Sequence, residues 1–164
     1  QNGKKTIVDP KDFDISKYSC CTLIKPNLSE FKSMSGISQH SDVSREEIIR
    51  IARKKIDEFE IESFLITMEE NGMLYVDRLQ SIYEPGIKIE VSDVSGAGDT
   101  VSAVISLCIS ANVEMKDCIK LANTSGSLVC QISGAVQIKP EVLLGSISRN
   151  NPVMSLNDGT PLIV

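Results

Sequence analysis

Asp93-Val94-Ser95-Gly96-Ala97-Gly98-Asp99-Thr100 is the stretch on which the reading of this chain turns. It follows a β-like run, Ile87-Lys88-Ile89-Glu90-Val91, and leads into an apolar, helix-like segment over residues 101–109. Two glycines around an alanine let backbone approach a ligand closely. The helix start that follows adds unbonded N–H groups and a partial positive charge, a setting suited to phosphate oxygens. Asp99 closes the loop with a carboxylate, as a reaction that deprotonates an alcohol beside a phosphate requires. The combination points to phosphoryl transfer. A strand-to-helix turn closed by Asp is also an ordinary helix start. No Gly-Lys-Ser/Thr follows to make it a Walker loop, so the decision falls to the rest of the chain.

Its 164 residues suffice for one domain with a core, and 41% hydrophobic with 24% charged residues is ordinary for a globular protein. The net charge of −5, with acids and bases interspersed, offers no basic face to nucleic acid or an anionic membrane. No apolar run approaches the ~20 residues that span a bilayer. Five cysteines, including the adjacent Cys20-Cys21, speak against a disulfide framework, and one histidine with no Cys-x-x-Cys spacing speaks against zinc. A reduced, cytoplasmic setting is expected. The chain opens on Gln1 and reaches a strand-like run, Thr6-Ile7-Val8, almost at once, so it reads as starting inside something longer.

Strand-length apolar runs alternate with helical patterns. Thr6-Ile7-Val8, Thr22-Leu23-Ile24 and Phe64-Leu65-Ile66-Thr67 read as buried strands. A helix is predicted from Arg45 to Phe59, with Ile48, Ile49, Ala52, Ile56 and Phe59 at helical spacing and a Ser44/Glu47 capping box at its start. Met73-Leu74-Tyr75-Val76 and Gln80-Ser81-Ile82-Tyr83 read as a hairpin joined near Asp77-Arg78. Helices follow near 100–110, 115–132 and 140–148. This order predicts an α/β layered fold with a mostly parallel sheet and flanking helices. Ligands of such sheets bind beyond the carboxyl ends of the strands, where Asp9, Asn27, Glu30, Thr67 and Glu69 fall. Residues 1–148 are assigned to the domain, and 149–164 to a terminal tail or linker.

Four segments together resemble the ribokinase-like, phosphofructokinase-B type carbohydrate kinases. Asp93–Asp99 is similar to that family's carboxy-terminal signature. Pro26-Asn27-Leu28-Ser29-Glu30 resembles its Asn-x-x-Glu motif, and Thr67-Met68-Glu69-Glu70-Asn71-Gly72 its nucleotide-binding turn. Ala122-Asn123 with Ile132-Ser133-Gly134-Ala135 resembles the stretch flanking adenine. Asp9-Pro10-Lys11, Asn27-Leu28-Ser29-Glu30-Phe31 and Glu70-Asn71-Gly72-Met73 resemble the heptose 7-phosphate kinase branch, which serves ADP-heptose synthesis. Glu69, where general sugar kinases often place a second Gly, and Val104, where they prefer a smaller residue, fit the same branch.

The resemblance implies an ATP-dependent sugar kinase acting on a heptose phosphate at its anomeric hydroxyl. Asp99 would be the general base, and Gly96, Ala97 and Gly98 the anion hole. Asn27, Thr67, Glu69, Gly72 and Asn123 would contact nucleotide. Glu30 would organise Mg²⁺ through water, and Asp93 with Ser95 would be candidates for a K⁺ site. Each has a plainer alternative. Asp99 could be a helix-start carboxylate, and Asn27 with Glu30 a capping box. Thr67 could be a β-branched strand residue, Gly72 a turn glycine and Asp93 an Asx turn. Asn123 could be an exposed helical residue, and Lys11 a solvated loop lysine or a phosphate contact. His40 reads as a loop residue, and Met34, Met68 and Met73 as packing. The family's amino-terminal, sugar-binding half has no counterpart here, nor does a downstream nucleotidyltransferase domain. An inactive fragment with an exposed sheet edge at Thr6-Ile7-Val8, prone to self-association, is therefore expected. Other small-molecule kinases of the family, and a nucleotide-binding module without chemistry, stay open as alternatives.

Overall fold

The computed structural model describes residues 3–132, together with 134, 138, 139, 141 and 143 and the backbone of 153–155 and 161–163. The chain forms two compact units, Gln1–Pro85 and Gly86–Val164.

The first unit is built on a five-stranded sheet in the order β1-β2-β3-β4-β5: β1 (Ile7–Val8), β2 (Leu23–Ile24), β3 (Ser63–Thr67), β4 (Met73–Asp77) and β5 (Ser81–Glu84). β1, β2 and β3 pair in parallel, whereas β4 pairs antiparallel with both its neighbours. Four of the five strands thus run in one direction, the mostly parallel α/β arrangement expected. Two helices accompany the sheet, α1 (Leu28–Ser35) and α2 (Arg45–Phe59).

α2 occupies the predicted span because its pattern is unambiguous. Ile48, Ala52 and Ile56 recur every fourth residue and are buried. The expected Ser44/Glu47 capping box forms only by half: Ser44 accepts from the Glu47 amide, but the Glu47 carboxylate turns to Arg50 instead of the Ser44 amide. α1 starts at a complete capping box: Asn27 Oδ1 accepts from the Glu30 amide at 2.8 Å, and Glu30 Oε2 accepts from the Asn27 amide at 2.7 Å. It ends on Gly36, whose φ of 71° lets the chain leave in the left-handed conformation.

Between helices and sheet lies the core. Phe64 and Ile66 of β3, with Ile24, Leu74 and Val76, are inaccessible and packed in the same cluster as Phe31, Ala52 and Ile56. The pleat turns Leu23 and Leu65 to the opposite face, where they are equally inaccessible, as strands buried on both faces require. Phe31 meets Phe64 edge to face with centroids 5.7 Å apart, locking α1 onto β3. In the β4–β5 hairpin, Asp77 Oδ1 accepts from the amides of Leu79 and Gln80, which closes the turn where the sequence places it.

The second unit pairs two helices, α3 (Ala97–Ser110) and α4 (Met115–Cys130), joined by residues 111–114. Val101, Ile105 and Cys108 form the buried face of α3. At Gly126 in α4 an added Cβ would come within 3.1 Å of Val101 Cγ2, so glycine there permits the close approach of the two helices. A two-stranded antiparallel ribbon, β6 (Val153–Ser155) with β7 (Pro161–Ile163), occurs within the segment expected to be a tail.

One expectation fails. Ile87-Lys88-Ile89-Glu90-Val91 is not a strand: it is irregular, with Ile87 and Val91 exposed. β-branched residues make a strand only where a neighbouring chain pairs with them, and among the described residues none does. The helix read near 140–148 lies largely outside the described residues. Among the described residues no helix is long and apolar enough to cross a membrane.

Phe31→Ala removes the ring that joins α1 to β3. It is expected to lower the stability of the first unit by about 3–5 kcal/mol in urea titration, and a loss below about 1 kcal/mol would contradict this account of the core.

Candidate functional site

The residues singled out from the sequence divide between the two units. In the first, parallel pairing brings three strand ends to one edge. Asp9 follows β1, Lys25-Pro26-Asn27 follows β2, and Thr67 ends β3. Asn27 and Thr67 form an isolated parallel bridge, and the Thr67 amide donates to Pro26 O at 3.0 Å. Glu30 is joined to the same point, because its carboxylate accepts from the Asn27 amide. The structure therefore brings Asn27, Glu30 and Thr67 together at the carboxyl ends of β2 and β3.

Glu69 and Gly72 belong to the turn that continues from Thr67. It is closed by Met68 N–H donating to Gly72 O at 2.8 Å and Gly72 N–H donating to Glu69 O at 3.1 Å. Gly72 has φ 86° and ψ −136°, a region open to little but glycine. Glu69 sits at φ 52°, in the left-handed region that glycine enters at no steric cost. Its exposed carboxylate accompanies that strain. The turn is thus glycine-like in shape at both positions although only one is glycine.

Lys25 belongs to this edge but was not singled out from the sequence. Its side chain is 5% exposed, and its ammonium lies 3.1 Å from Asp9 Oδ1, while Lys11 Nζ lies 3.2 Å from Asp9 Oδ2. Two cations thus share one carboxylate at this edge. A buried lysine is retained only when paired in this way. Its signal was a lysine directly after the apolar Leu23-Ile24 and directly before Pro26.

The second unit holds the glycine loop. α3 begins at Ala97, with Gly96 as its N-cap at φ 80° and Asp99 in the first turn, exposed. Gly98 and Asp99 hold the second and third positions of that turn, where an α-helix provides no acceptor for the amide. The Ala97 amide differs, donating to Val94 O at 3.3 Å within a turn of the loop. Of the three amides read from the sequence, those of Gly96, Ala97 and Gly98, only that of Ala97 is thus engaged within the loop.

Behind the loop stands Asp93. Its Oδ1 accepts from the Ser95 amide at 2.9 Å and its Oδ2 from the Gly134 amide at 3.0 Å. The backbone hydrogen bond from Ser95 comes first among the causes holding the Asp93 carboxyl below the usual carboxylate range, followed by the Ser95 side chain and Gly134. The Asx turn read as the plain alternative is present. Amides of Ser92 and Asp93 donate to Cys130 O, fastening the loop to the last residue of α4. Asn123, whose burial the sequence left open, is 6% exposed on α4 among Ala122, Thr124 and Ser125. Ser133 and Ala135, read as flanking adenine, lie outside the described residues. His40 is exposed in a loop, and Met34, Met68 and Met73 pack in the interior. Among the described residues no cluster of three or more His, Cys, Asp or Glu could hold a metal ion by itself.

Comparison with known proteins identifies the scaffold. The profile described as "pfkB family carbohydrate kinase" matches residues 1–141. The bifunctional protein HldE of Shewanella piezotolerans is 35% identical over 147 residues, covering 89% of this chain and 30% of that protein. HldE of Caulobacter vibrioides is 40% identical over 132 residues, covering 77% and 26%. The chain thus spans about 30% of the length of the curated relatives it matches. Among solved structures, Escherichia coli phosphofructokinase-2 in complex with potassium superposes with a TM-score of 0.77 at 16% identity, over 88% of this chain and 47% of that one. Ribokinase from Thermotoga maritima gives 0.75 at 16% identity, over 89% and 50%. At such identities the structures establish the ribokinase-like fold alone. With its sequence matched along residues 1–141, the chain belongs to the pfkB family of carbohydrate kinases.

Proposed function

We propose that this chain is the nucleotide-binding and catalytic-loop portion of an ATP-dependent sugar kinase. The observation that carries the reading is the loop at the start of α3, where a left-handed glycine, the free-ended amides of a first helical turn and an exposed carboxylate come together. Phosphoryl transfer is chiefly a matter of positioning and of stabilising charge on the moving phosphoryl oxygens. Amides of Gly98 and its neighbours would receive that charge. Asp99 would take the proton of the acceptor hydroxyl and direct its oxygen in line.

The strand-end edge of the first unit supplies what a polyphosphate needs. Asn27 and Thr67 offer polar side chains, and Lys25 a buried positive charge. The turn from Met68 to Gly72 continues directly from Thr67 and belongs in this reading to the nucleotide. Asn123, buried on α4, lines the base in the same reading. The donor set fits Mg²⁺ held through water, because Glu30 has a carboxylate anchored by a backbone amide and magnesium keeps much of its hydration. When bound, that ion would neutralise phosphate charge. K⁺ belongs to the proposal as an ion held by Asp93 and Ser95, whose oxygens are hard donors.

The acceptor we propose is a heptose 7-phosphate, phosphorylated at its anomeric hydroxyl on the route to ADP-heptose in the cytoplasm. Support comes from the heptose-branch motifs at Asn27–Phe31 and Glu70–Met73 and from relatives named HldE at 35–40% identity. The sugar site would be supplied by sequence beyond this chain. The outer edge of β1 is where such a partner segment, or a second copy, would pair.

In an intact kinase containing this chain, Asp99→Asn is expected to lower kcat by roughly 10²–10⁴ while KM for ATP changes little. Near-normal turnover would remove Asp99 from the base role. Asn27→Asp separates capping from ligand contact, since Asp caps a helix as well as Asn does. Stability should stay within about 0.5 kcal/mol, while ATP affinity falls at least roughly tenfold through repulsion of phosphate. Unchanged affinity would leave Asn27 as a cap alone. For the 164-residue chain by itself, calorimetry should detect ATP binding, and a coupled assay with heptose 7-phosphate should detect no turnover.

A further inference from the structure

The turn that joins β3 to β4 holds two residues outside the ordinary backbone regions: Glu69 at φ 52°, and Gly72 at φ 86° with ψ −136°. Such conformations persist only where surrounding contacts over-determine them. Three of those contacts are the turn's own. Asn71 N–H donates to Met68 O at 2.9 Å, Gly72 N–H to Glu69 O and Met68 N–H to Gly72 O. A fourth comes from β5, where the Tyr83 hydroxyl donates to Asn71 O at 2.9 Å.

The sheet puts Tyr83 in reach. Its register partner on β4 is Leu74, and residues paired across two strands share a face. Leu74 belongs to the core cluster under α1 and α2, and the half-buried Tyr83 ring packs against that cluster. Arg45, the first residue of α2, lays its guanidinium 3.6 Å from the ring centroid. Strand, core and helix therefore fix the ring, and its hydroxyl extends to the turn.

Asn71 C=O and Gly72 N–H belong to one peptide unit. Tyr83 holds its oxygen, and Glu69 O holds its N–H. Held at both ends, the unit has one orientation. Held at one end it could rotate, because Gly72 tolerates most backbone angles. A ligand that needs the turn in one shape would then bear the cost of arranging it.

We propose that Tyr83 is a positioning residue for the nucleotide, fixing the Met68–Gly72 turn through Asn71 O. This rests on the assignment of that turn to ATP. Phenylalanine at 83 would keep the packing against the core and the contact with Arg45, so the hydroxyl can be tested apart from the ring.

The experiment uses an intact kinase containing this chain. Hydrogen exchange of the wild type comes first, and ATP is expected to slow exchange of the turn amides. Tyr83→Phe is then expected to raise KM for ATP roughly three- to tenfold, the worth of one hydrogen bond. Its kcat and its KM for the sugar should stay within about twofold of wild type. Without ATP, the turn amides of the variant should exchange faster. A role in the fold alone would lower the thermal midpoint and leave KM for ATP where it was. If ATP protects the wild-type turn but Tyr83→Phe keeps the wild-type KM for ATP, the role of Tyr83 is overturned and the turn stays with the nucleotide. If ATP leaves the wild-type turn unprotected, the turn does not belong to the nucleotide site and the proposal falls with it.

Discussion

Parallel pairing of β1, β2 and β3 is the constraint from which the first unit follows. Strands that run the same way release their chains at the same edge, so residues far apart in sequence become neighbours without any direct attraction. Asp9, Lys25, Asn27 and Thr67 meet for that reason. The hydrogen bond from Thr67 N–H to Pro26 O continues the ladder past the last regular pair and sets Asn27 beside Thr67. Apolar burial on both faces of the sheet fixes the register, since a slip of one residue would turn Phe64 and Ile66 away from α1 and α2.

A different economy governs the second unit. α3 has a modest apolar stripe, and its serines 102, 106 and 110 each return a hydroxyl proton to the carbonyl four residues earlier. Those side chains satisfy themselves within the helix and contribute little to packing. The stability of the pair rests on Val101, Ile105 and Cys108 against α4 and on the absence of a side chain at Gly126. A helix that carries a candidate catalytic carboxylate at its start is therefore positioned mainly by its buried face.

What was legible in the sequence is what local chemistry determines. The span of α2 follows from apolar spacing and Ser44, whereas the helix read near 100–110 begins three residues earlier, at Ala97, because the glycine loop itself supplies its first turn. The edge cluster was legible as separate residues, because each follows a strand of recognisable pattern. Their mutual contacts were not, since these depend on which strands pair. Ile87–Val91 shows the limit from the other side: its composition favours a strand, and composition does not supply a partner. Lys25 was overlooked because a lysine after a strand ordinarily points to solvent, and only the tertiary placement of Asp9 makes its burial tolerable. Asn123 stood open between exposure and burial, and packing of α4 rather than helix propensity resolved it.

The anchoring of Asp93 has a thermodynamic consequence. Both oxygens of its carboxylate accept backbone amides, and the amides on its own side of the loop hold to the end of α4. Ordering a loop costs on the order of 1–2 kcal/mol for each residue fixed. Here that entropy is lost when the chain folds, before any anion arrives. A ligand entering this loop meets amides already aimed, so its affinity need not be reduced by the work of arranging them.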